Sequence, residues 1–365
     1  MDTASGSTTI VAVDRDPLVL LAVSRRFEPI PVLRMQLSLV YYQIESVLTR
    51  SALVAVFNKA PGYDLRRLLG GTEKLMGRLL DSFLTDSGSL LGAYPSVPLP
   101  ITRRQRLAVH LGQAMKDSRA MHGMLCTQGA VLCALTAPGR PTLTQWEILL
   151  LLNLVSTLRD EEAITPFCLP QGDPNALLHV YVRRLGRGPA RGAGPAAPGA
   201  PALPLDVVLL IPGAPDRQRL SSTAEALART VAVVASSPEL AVPELPSSVG
   251  GGRPGATPLL FFIYRMAGGP QFVASPPVQD AGLQQDIILV LSQLRASMYD
   301  RGSEVDGPMT SLRVEQRRRL TLAGVLQREG ELLAAFDGLT DADEATTRCE
   351  RLLRWLRSQH MAWFA

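Results

Sequence analysis

The sequence predicts an α+β fold made of three successive units with mainly antiparallel sheets. Pairs of short β-rich runs are separated by turn residues, and an apolar helical pattern follows each pair. Two stretches rich in Pro and Gly interrupt the later part of the chain. The predicted organisation is a first unit at residues 1–87, a second at 88–236 with a disordered loop at 186–204, a flexible spacer at 237–257 and a third unit at 258–365.

The first unit is predicted to be a hairpin followed by two helices. Turn residues separate the apolar runs Thr9–Val13 and Leu18–Val23, which predicts the hairpin. Apolar residues three and four apart from Leu33 to Leu48 predict one helix. A second helical pattern runs from Leu65 to Phe83, and Thr72 is predicted to cap its second half where two glycines interrupt it.

The second unit is predicted to combine a hairpin with buried helices. Residues 121–136 form two apolar runs that turn near Gln128-Gly129. The helix predicted at 142–158 is apolar on nearly all sides, so we expect it to be deeply buried. Its other predicted elements are an opening segment at 90–99, helices at 102–116 and 217–231, and strands at 176–184 and 205–211.

The third unit repeats the order of strands, helix, strands and helix. Strands are predicted at 259–264 and 272–274, with further strands inside 312–336. The two helices are predicted from apolar faces at helical spacing. These faces are Ile287, Ile288, Leu291 and Leu294 in one helix, and Cys349, Leu352, Leu353 and Leu356 in the closing helix.

Composition excludes several classes of protein. The net charge of +4 over 365 residues is small for a dedicated nucleic-acid binder, so no nucleic-acid partner is expected. The longest apolar run, Ile148–Val155, is far shorter than the roughly 20 residues of a membrane span. No signal-peptide pattern is found at the start. The four cysteines form no CxxC pair, which favours buried free thiols in a reducing, cytoplasmic compartment.

The sequence shows no catalytic pattern, and neither a cofactor nor a metal is expected. The four histidines lack metal-ligand spacing, and a zinc site at Cys126 and Cys133 would need two further ligands. Arg183, Arg184 and Arg187 form a basic cluster and are candidate contacts with anionic lipid headgroups. The run 317–319 is a second such cluster. A solvated surface in an Arg-rich protein is the alternative for both.

Five blocks in order along the chain resemble one known family. They are PLVLLAVSRR (17–26), the long block YDLRRLLGGTEKLMGRLLDSFLTDSGSLLGAYPSVPLP (63–100), ITPFCLP (164–170), ALLHVYV (176–182) and RLLRWLR (351–357). Together they resemble the Mon/SAND family of vacuolar fusion proteins. This resemblance implies three consecutive longin domains, each a five-stranded sheet with helices on both faces.

The resemblance also implies a function. Such a protein pairs with a Ccz-type longin subunit, and the heterodimer is a guanine-nucleotide exchange factor for a late-endosomal Rab GTPase of the Rab-seven class. An early-endosomal Rab and phosphoinositide recruit it, so peripheral association with endosome or vacuole membranes is implied. An exchange factor needs a shaped surface that favours the nucleotide-free GTPase, and no chemical active site. The alternatives are a non-catalytic tri-longin scaffold of a trafficking or ciliary complex and, more remotely, a metabolic enzyme.

The chain departs from the family pattern at both ends. It starts at the hairpin, so the first longin domain is expected to lack its opening strands and helix. The short sheet would then have an unpaired edge and an uncovered apolar face, and residues 1–85 are expected to be the least stable region. Residues 312–339 resemble the family weakly, so the sequence supports the prediction of the third longin domain less than that of the second.

Overall fold

The computed structural model of the protein describes residues 8–97, 99–185, 205–235, 258–299, 311–317 and 319–358. The loop predicted at 186–204 and the spacer predicted at 237–257 lie outside these residues.

The N-terminal region is a two-stranded hairpin followed by helices. Strands β1 (Thr9–Arg15) and β2 (Leu18–Ser24) pair antiparallel, which confirms the predicted hairpin. Helix α1 begins at Ile30, and Pro31 lies in its first turn, where the fixed φ of proline suits a helix. The helical elements that follow the hairpin are α1 (Ile30–Leu48), α2 (Arg50–Lys59), a 3-10 turn (Leu65–Arg67), α3 (Glu73–Thr85) and α4 (Gly88–Leu91).

Two details of this region differ from the sequence-based prediction. Helix α2 was not predicted, because it buries only Leu53 and therefore shows a weak apolar face. Thr72 does precede α3, but its hydroxyl donates to the Leu69 carbonyl at 2.7 Å and makes no capping bond. The predicted position was therefore right and the predicted capping mechanism wrong.

The central unit is a five-stranded antiparallel sheet with helices on both faces. Its strand order is β5-β4-β8-β7-β6. Helix α6 covers one face, and α5 and α7 cover the other. The elements are α5 (Ile101–Ser118), β4 (His122–Thr127), β5 (Ala130–Thr136), α6 (Gln145–Thr157), β6 (Glu162–Leu169), β7 (Asp173–Leu185), β8 (Leu205–Ile211) and α7 (Arg217–Ala235).

Local sequence explains several elements of this unit. The β4–β5 turn has Gln128 and Gly129 at positive φ, as predicted for a tight hairpin. Thr144 and Glu147 form a reciprocal capping box at the start of α6. Strand β6, which contains all of the ITPFCLP block except Pro170, was not predicted as a strand; Pro166 is tolerated because β6 lies at the sheet edge.

The C-terminal unit repeats this architecture with one addition. Its strand order is β11-β12-β13-β9-β10-β3, and the first five positions repeat the connectivity of the central sheet. Helix α8 packs on one face and α9 on the other. The elements are β9 (Leu259–Met266), β10 (Gln271–Ala274), α8 (Ala281–Tyr299), β11 (Ser311–Gln316), β12 (Leu320–Gln327), β13 (Gly330–Asp337) and α9 (Ala342–Ser358).

The sixth strand of this sheet comes from an earlier part of the chain. Strand β3 (Tyr94–Pro95) pairs parallel with β10 and so adds a sixth strand to the five that the C-terminal unit itself supplies. The next residues bridge to the central sheet, where Val97 N–H donates to the Val131 carbonyl at 3.0 Å. Leu90 and Leu91 are buried in the C-terminal core. The segment predicted to open the second unit therefore joins two sheets, and the domain boundaries themselves stay a prediction.

Candidate interaction surfaces

The outward face of the β1–β2 hairpin is apolar and exposed. Ile10, Val19, Leu21 and Val23 are 60–72% exposed. In the register of the hairpin, Ile10 lies opposite Val23, and Leu21 lies opposite Ala12 on the same face. We call Ile10, Val19, Leu21 and Val23 the hairpin outer face. A contiguous exposed apolar patch of this kind is typical of an interaction site.

The inward face of the hairpin packs on α1. Val11, Leu33 and Leu37 form a small buried cluster. Val13, Leu20 and Ala22 are partly buried against it. The alternation of β-strand side chains therefore divides the hairpin into a side packed on α1 and an exposed apolar side.

The link between the hairpin and α1 is held by the C-terminal unit. Phe27 is exposed and has a φ of 58°, which is uncommon for a bulky residue. Its carbonyl accepts a hydrogen bond from the Gln293 side chain in α8 at 3.2 Å. Arg26 lies 3.9 Å from Asp286 on the same helix. These contacts connect the link after the hairpin to a helix that lies far along the chain.

A buried polar cluster joins α1 to the central unit. The Asn153 amide of α6 donates to the Gln43 side chain at 2.9 Å and to the Leu75 carbonyl at 3.0 Å. Gln43 in turn donates to Ser46 at 2.8 Å. Asn153, the polar residue inside the apolar α6 sequence, therefore ties together three helices.

Glu45 and Tyr41 are buried on the same helix beside this cluster. Burial is the largest influence on Glu45 and raises its pKa, while the Tyr41 hydroxyl and the Arg50 guanidinium oppose the shift. Arg50 Nε lies 3.6 Å from the Glu45 carboxylate. Burial, followed by the effect of Glu45, raises the pKa of Tyr41 to about 12. The ionised form of Glu45 is thus disfavoured at the junction between α1 and the central unit.

The structure separates the residues of the first predicted basic cluster. Arg183 pairs with Glu162 at 2.6 Å. Its neighbour Arg184 is 6% exposed and donates to the carbonyls of Val155 and Leu158 at the end of α6. Arg187 lies outside the described residues. Arg183 and Arg184 therefore do not form a shared open surface, because adjacent residues of β7 point to opposite faces of the sheet. Lipid contact by this cluster stays a prediction.

The second basic cluster is also partly neutralised. Arg317 lies 3.0 Å from Glu315 and donates to Gln293 at 3.1 Å. Arg319 is exposed, and Arg318 lies outside the described residues. The pairing of Arg317 favours a structural role for that side chain.

His122 and the four cysteines are placed as structural residues. His122 is buried, burial lowers its pKa, and its Nδ1 lies 3.1 Å from the Thr136 hydroxyl. All four cysteines are free thiols and buried. Within the described ranges, no group of three or more His, Cys, Asp or Glu side chains could hold a metal ion. None of the described helices is long and apolar enough to cross a membrane.

Comparison with known proteins decides the family. Residues 1–79 match the first Longin domain of FUZ, MON1 and HPS1, and residues 118–228 match the second Longin domain of the same proteins. Vacuolar fusion protein MON1 homolog A of Gallus gallus is 35% identical over 179 residues. The human MON1 homolog B is 36% identical over 184 residues. The chain belongs to the Mon/SAND family.

The match to other members of the Mon/SAND family is partial in length. The chicken and human relatives are each matched over 48% of this chain, and over 32% and 33% of their own lengths. Protein SAND of Takifugu rubripes is 34% identical over 48% of this chain and 34% of its own length. The matched part of the chain thus spans about a third of these relatives.

The predicted α+β fold built of longin domains is confirmed. Family models cover the first two units, and the C-terminal unit repeats the strand order of the second. A solved structure of the gliding protein MglB from Thermus thermophilus aligns over 39% of this chain and 96% of that chain. Its sequence identity is 16% and its TM-score is 0.27, and at these values the likeness supports no conclusion about this chain.

Sequence reasoning anticipated an uncovered apolar face on the short sheet, and the hairpin outer face is such a surface. It did not identify the role of Asn153 or the burial of Arg184. A single polar residue inside the apolar run 148–155 was the available signal for Asn153. The acceptors of Arg184 are carbonyls from a sequence-distant helix end, which no local pattern shows.

Proposed function

We propose that this Mon/SAND chain is the Mon subunit of a heterodimeric guanine-nucleotide exchange factor for a late-endosomal Rab GTPase. Its partner is a Ccz-type longin subunit. The complex acts in endosome maturation, vesicle fusion and protein transport to the vacuole or lysosome. It is peripheral on endosome and vacuole membranes, where an early-endosomal Rab and phosphoinositide recruit it. This role needs no chemical active site, since exchange depends on preferential binding of the nucleotide-free GTPase.

The observation that supports this proposal best is the hairpin outer face. It exposes four large apolar side chains in the region that matches the first Longin domain. Burying them against a partner would remove apolar surface from water, at about 25 cal/mol for each Å². The buried polar cluster around Asn153 and Gln43 holds α1, and the inner face of the hairpin packs on α1.

The test is a pull-down with the Ccz-type partner, followed by measurement of nucleotide release from the late-endosomal Rab. We expect partner binding and accelerated release for the unmodified chain. The double variant Val19→Ser, Leu21→Ser should weaken both. Val109→Ser is the matched control, because Val109 is 70% exposed on α5, away from the hairpin. Equal binding by both variants would show that the hairpin outer face is not the contact.

A non-catalytic tri-longin scaffold is the second candidate, because the hairpin outer face could bind a partner without any nucleotide exchange. Partner binding without nucleotide release would support the scaffold and contradict the exchange role. Failure to bind the Ccz-type partner would contradict the proposed heterodimer.

A further inference from the structure

A cleft of about 460 Å³ opens at one end of the central sheet. Its walls are the β4–β5 turn, the C-terminal end of α6, the end of β7 and the start of β8. Three arginines from three different elements line it: Arg78 from α3, Arg159 just after α6, and Arg184 from β7. We call this the arginine cleft.

Arg184 is the buried member of the three. Its side chain is 6% exposed, and one terminal nitrogen donates to the Val155 carbonyl at 2.8 Å and to the Leu158 carbonyl. Its Nε has no hydrogen-bond partner, and the nearest carboxylate oxygen, from Asp206, is 3.8 Å away. A buried N–H without an acceptor is costly, more so on a charged group. Arg184 therefore offers an unused donor beside the arginine cleft.

The other two arginines lie at the exposed side of the cleft. Arg78 and Arg159 are both exposed, and Arg78 donates to the Ser156 hydroxyl. Among the side chains lining the cleft, Asp206 supplies the single carboxylate against three guanidinium groups. Like charges that share a cleft repel one another, and an anion with two negative charges would relieve that repulsion. The carbonyls at the end of α6, which would repel an anion, already accept from Arg184.

We propose that the arginine cleft binds a phosphate group. Guanidinium groups donate paired N–H groups in a planar fork that matches phosphate oxygens, and a phosphate monoester carries up to two negative charges. Arg78 and Arg159 meet the phosphate from the open side, and Arg184 supplies charge and a donor from the buried side. With a lipid headgroup as its source the site rests on the phosphoinositide recruitment proposed above, and with a soluble phosphate ester it does not. The phosphate belongs either to a soluble phosphate ester or to a lipid headgroup.

The test uses the full chain and the double variant Arg78→Gln, Arg159→Gln. Both side chains are exposed, so the fold should survive, and circular dichroism with thermal unfolding verifies this. The double variant Arg106→Gln, Lys116→Gln is the matched control, because it also removes two positive charges and both side chains are exposed on α5, on the opposite face of the central sheet. Calorimetric titration at low salt with inorganic phosphate and with inositol 1-phosphate tests the soluble source. Flotation with vesicles of phosphatidylcholine, with and without a phosphatidylinositol phosphate, tests the lipid source.

The expected result is binding that Arg78→Gln, Arg159→Gln weakens roughly tenfold or more, as loss of charge-assisted hydrogen bonds predicts, while the control variant on α5 binds as the unmodified chain does. Weaker binding of the soluble phosphates in the titration identifies a soluble phosphate ester, and weaker binding that is confined to the vesicles identifies a lipid headgroup. Equal weakening by the control variant would reduce the effect to overall charge and overturn the proposal. Absence of binding to either source would also overturn it.

Discussion

The β1–β2 hairpin and the central sheet are both built from antiparallel strands, but they bury their side chains very differently. The central sheet has one core beneath α6 and another beneath α5 and α7. The hairpin has one small core, in which Val11, Leu33 and Leu37 are buried, and its other side carries the hairpin outer face. The same strand chemistry therefore produces a two-sided core in one region and an unpartnered surface in the other.

Because of this difference in burial, the region of lowest expected stability covers fewer residues than the sequence predicted. Residues 1–85 were expected to be the least stable part of the chain. In the structure, Leu39 of α1 and Leu79 of α3 are buried in the core beneath α6. Helices α1 and α3 thus share a core with the central sheet, and the low-stability segment should be the hairpin. Amide hydrogen exchange should be fastest at residues 9–24 and slow in α1, since local opening follows the number of buried apolar contacts.

The largest expected effect comes from truncating the centre of the second unit. Leu151 of α6 is fully buried, so Leu151→Ala should cost about 2–5 kcal/mol of unfolding free energy in urea denaturation. Leu33→Ala makes the same change in the hairpin core and is the matched comparison. We expect it to cost less than about 1 kcal/mol in global unfolding, because the hairpin can open separately. Equal losses of unfolding free energy in the two variants would show that the hairpin and the central unit unfold together as one cooperative unit.

A second large effect should follow from removing the Glu147 carboxylate. One of its oxygens accepts from the backbone N–H groups of Gln171 and Gly172, at 3.1 and 2.8 Å. The other accepts from the Thr144 N–H and hydroxyl, at 2.9 and 3.1 Å. Glu147→Ala removes the acceptor of four partly buried hydrogen bonds and should cost about 2 kcal/mol in the same denaturation experiment.

Glu147→Gln is the control for that substitution, because it retains one acceptor oxygen and much of the volume. It should recover part of the lost stability. If Ala and Gln cost the same, the contribution of Glu147 is its charge and not its acceptor geometry. The hairpin end of α1 has no equivalent bond, since Pro29 makes no side-chain cap.

A smaller, pH-dependent effect is expected where α1 meets the central unit. Burial raises the pKa of Glu45, so the folded state holds this proton more tightly than the unfolded state. The contribution of Glu45 to stability is therefore greatest below its unfolded pKa and declines as the pH rises through the raised folded pKa. Glu45→Gln should remove this decline, so the variant gains stability relative to the unmodified chain as the pH rises. Urea denaturation at several pH values from 4 to 8 (about two points per unit) would measure it. If the unfolding free energies of Glu45→Gln and the unmodified chain differed by the same amount at every pH, the raised pKa of Glu45 would be contradicted.

The sequence predicted those elements whose signals are local, and it missed those that depend on distant parts of the chain. The hairpin at residues 121–136 was predicted because its turn residues lie between two apolar runs. Strand β3 was missed, because two residues, Tyr94 and Pro95, become a strand only through β10, far along the chain. The same reason applies to the arginine cleft, which joins Arg78, Arg159 and Arg184 from separate elements. An uncovered apolar face on the short sheet was expected from the departure from the family pattern, but its residues were not identified from the sequence.

The smallest expected effect tests whether the hairpin outer face is free in the isolated chain. Val19 is 72% exposed on that face, whereas Val11 is buried on the inner face of the same hairpin. Val19→Thr should change the unfolding free energy by less than about 0.5 kcal/mol, as is usual for exposed positions, and Thr retains the β-branched shape that strands favour. Val11→Thr introduces a hydroxyl into the small core and should increase exchange of the hairpin amides markedly more than Val19→Thr. A larger cost at Val19 than at Val11 would mean that the outer face is covered in solution, by a second copy of the chain or by residues outside the described ranges. Sedimentation of both variants at several concentrations separates these two causes, because only self-association depends on concentration.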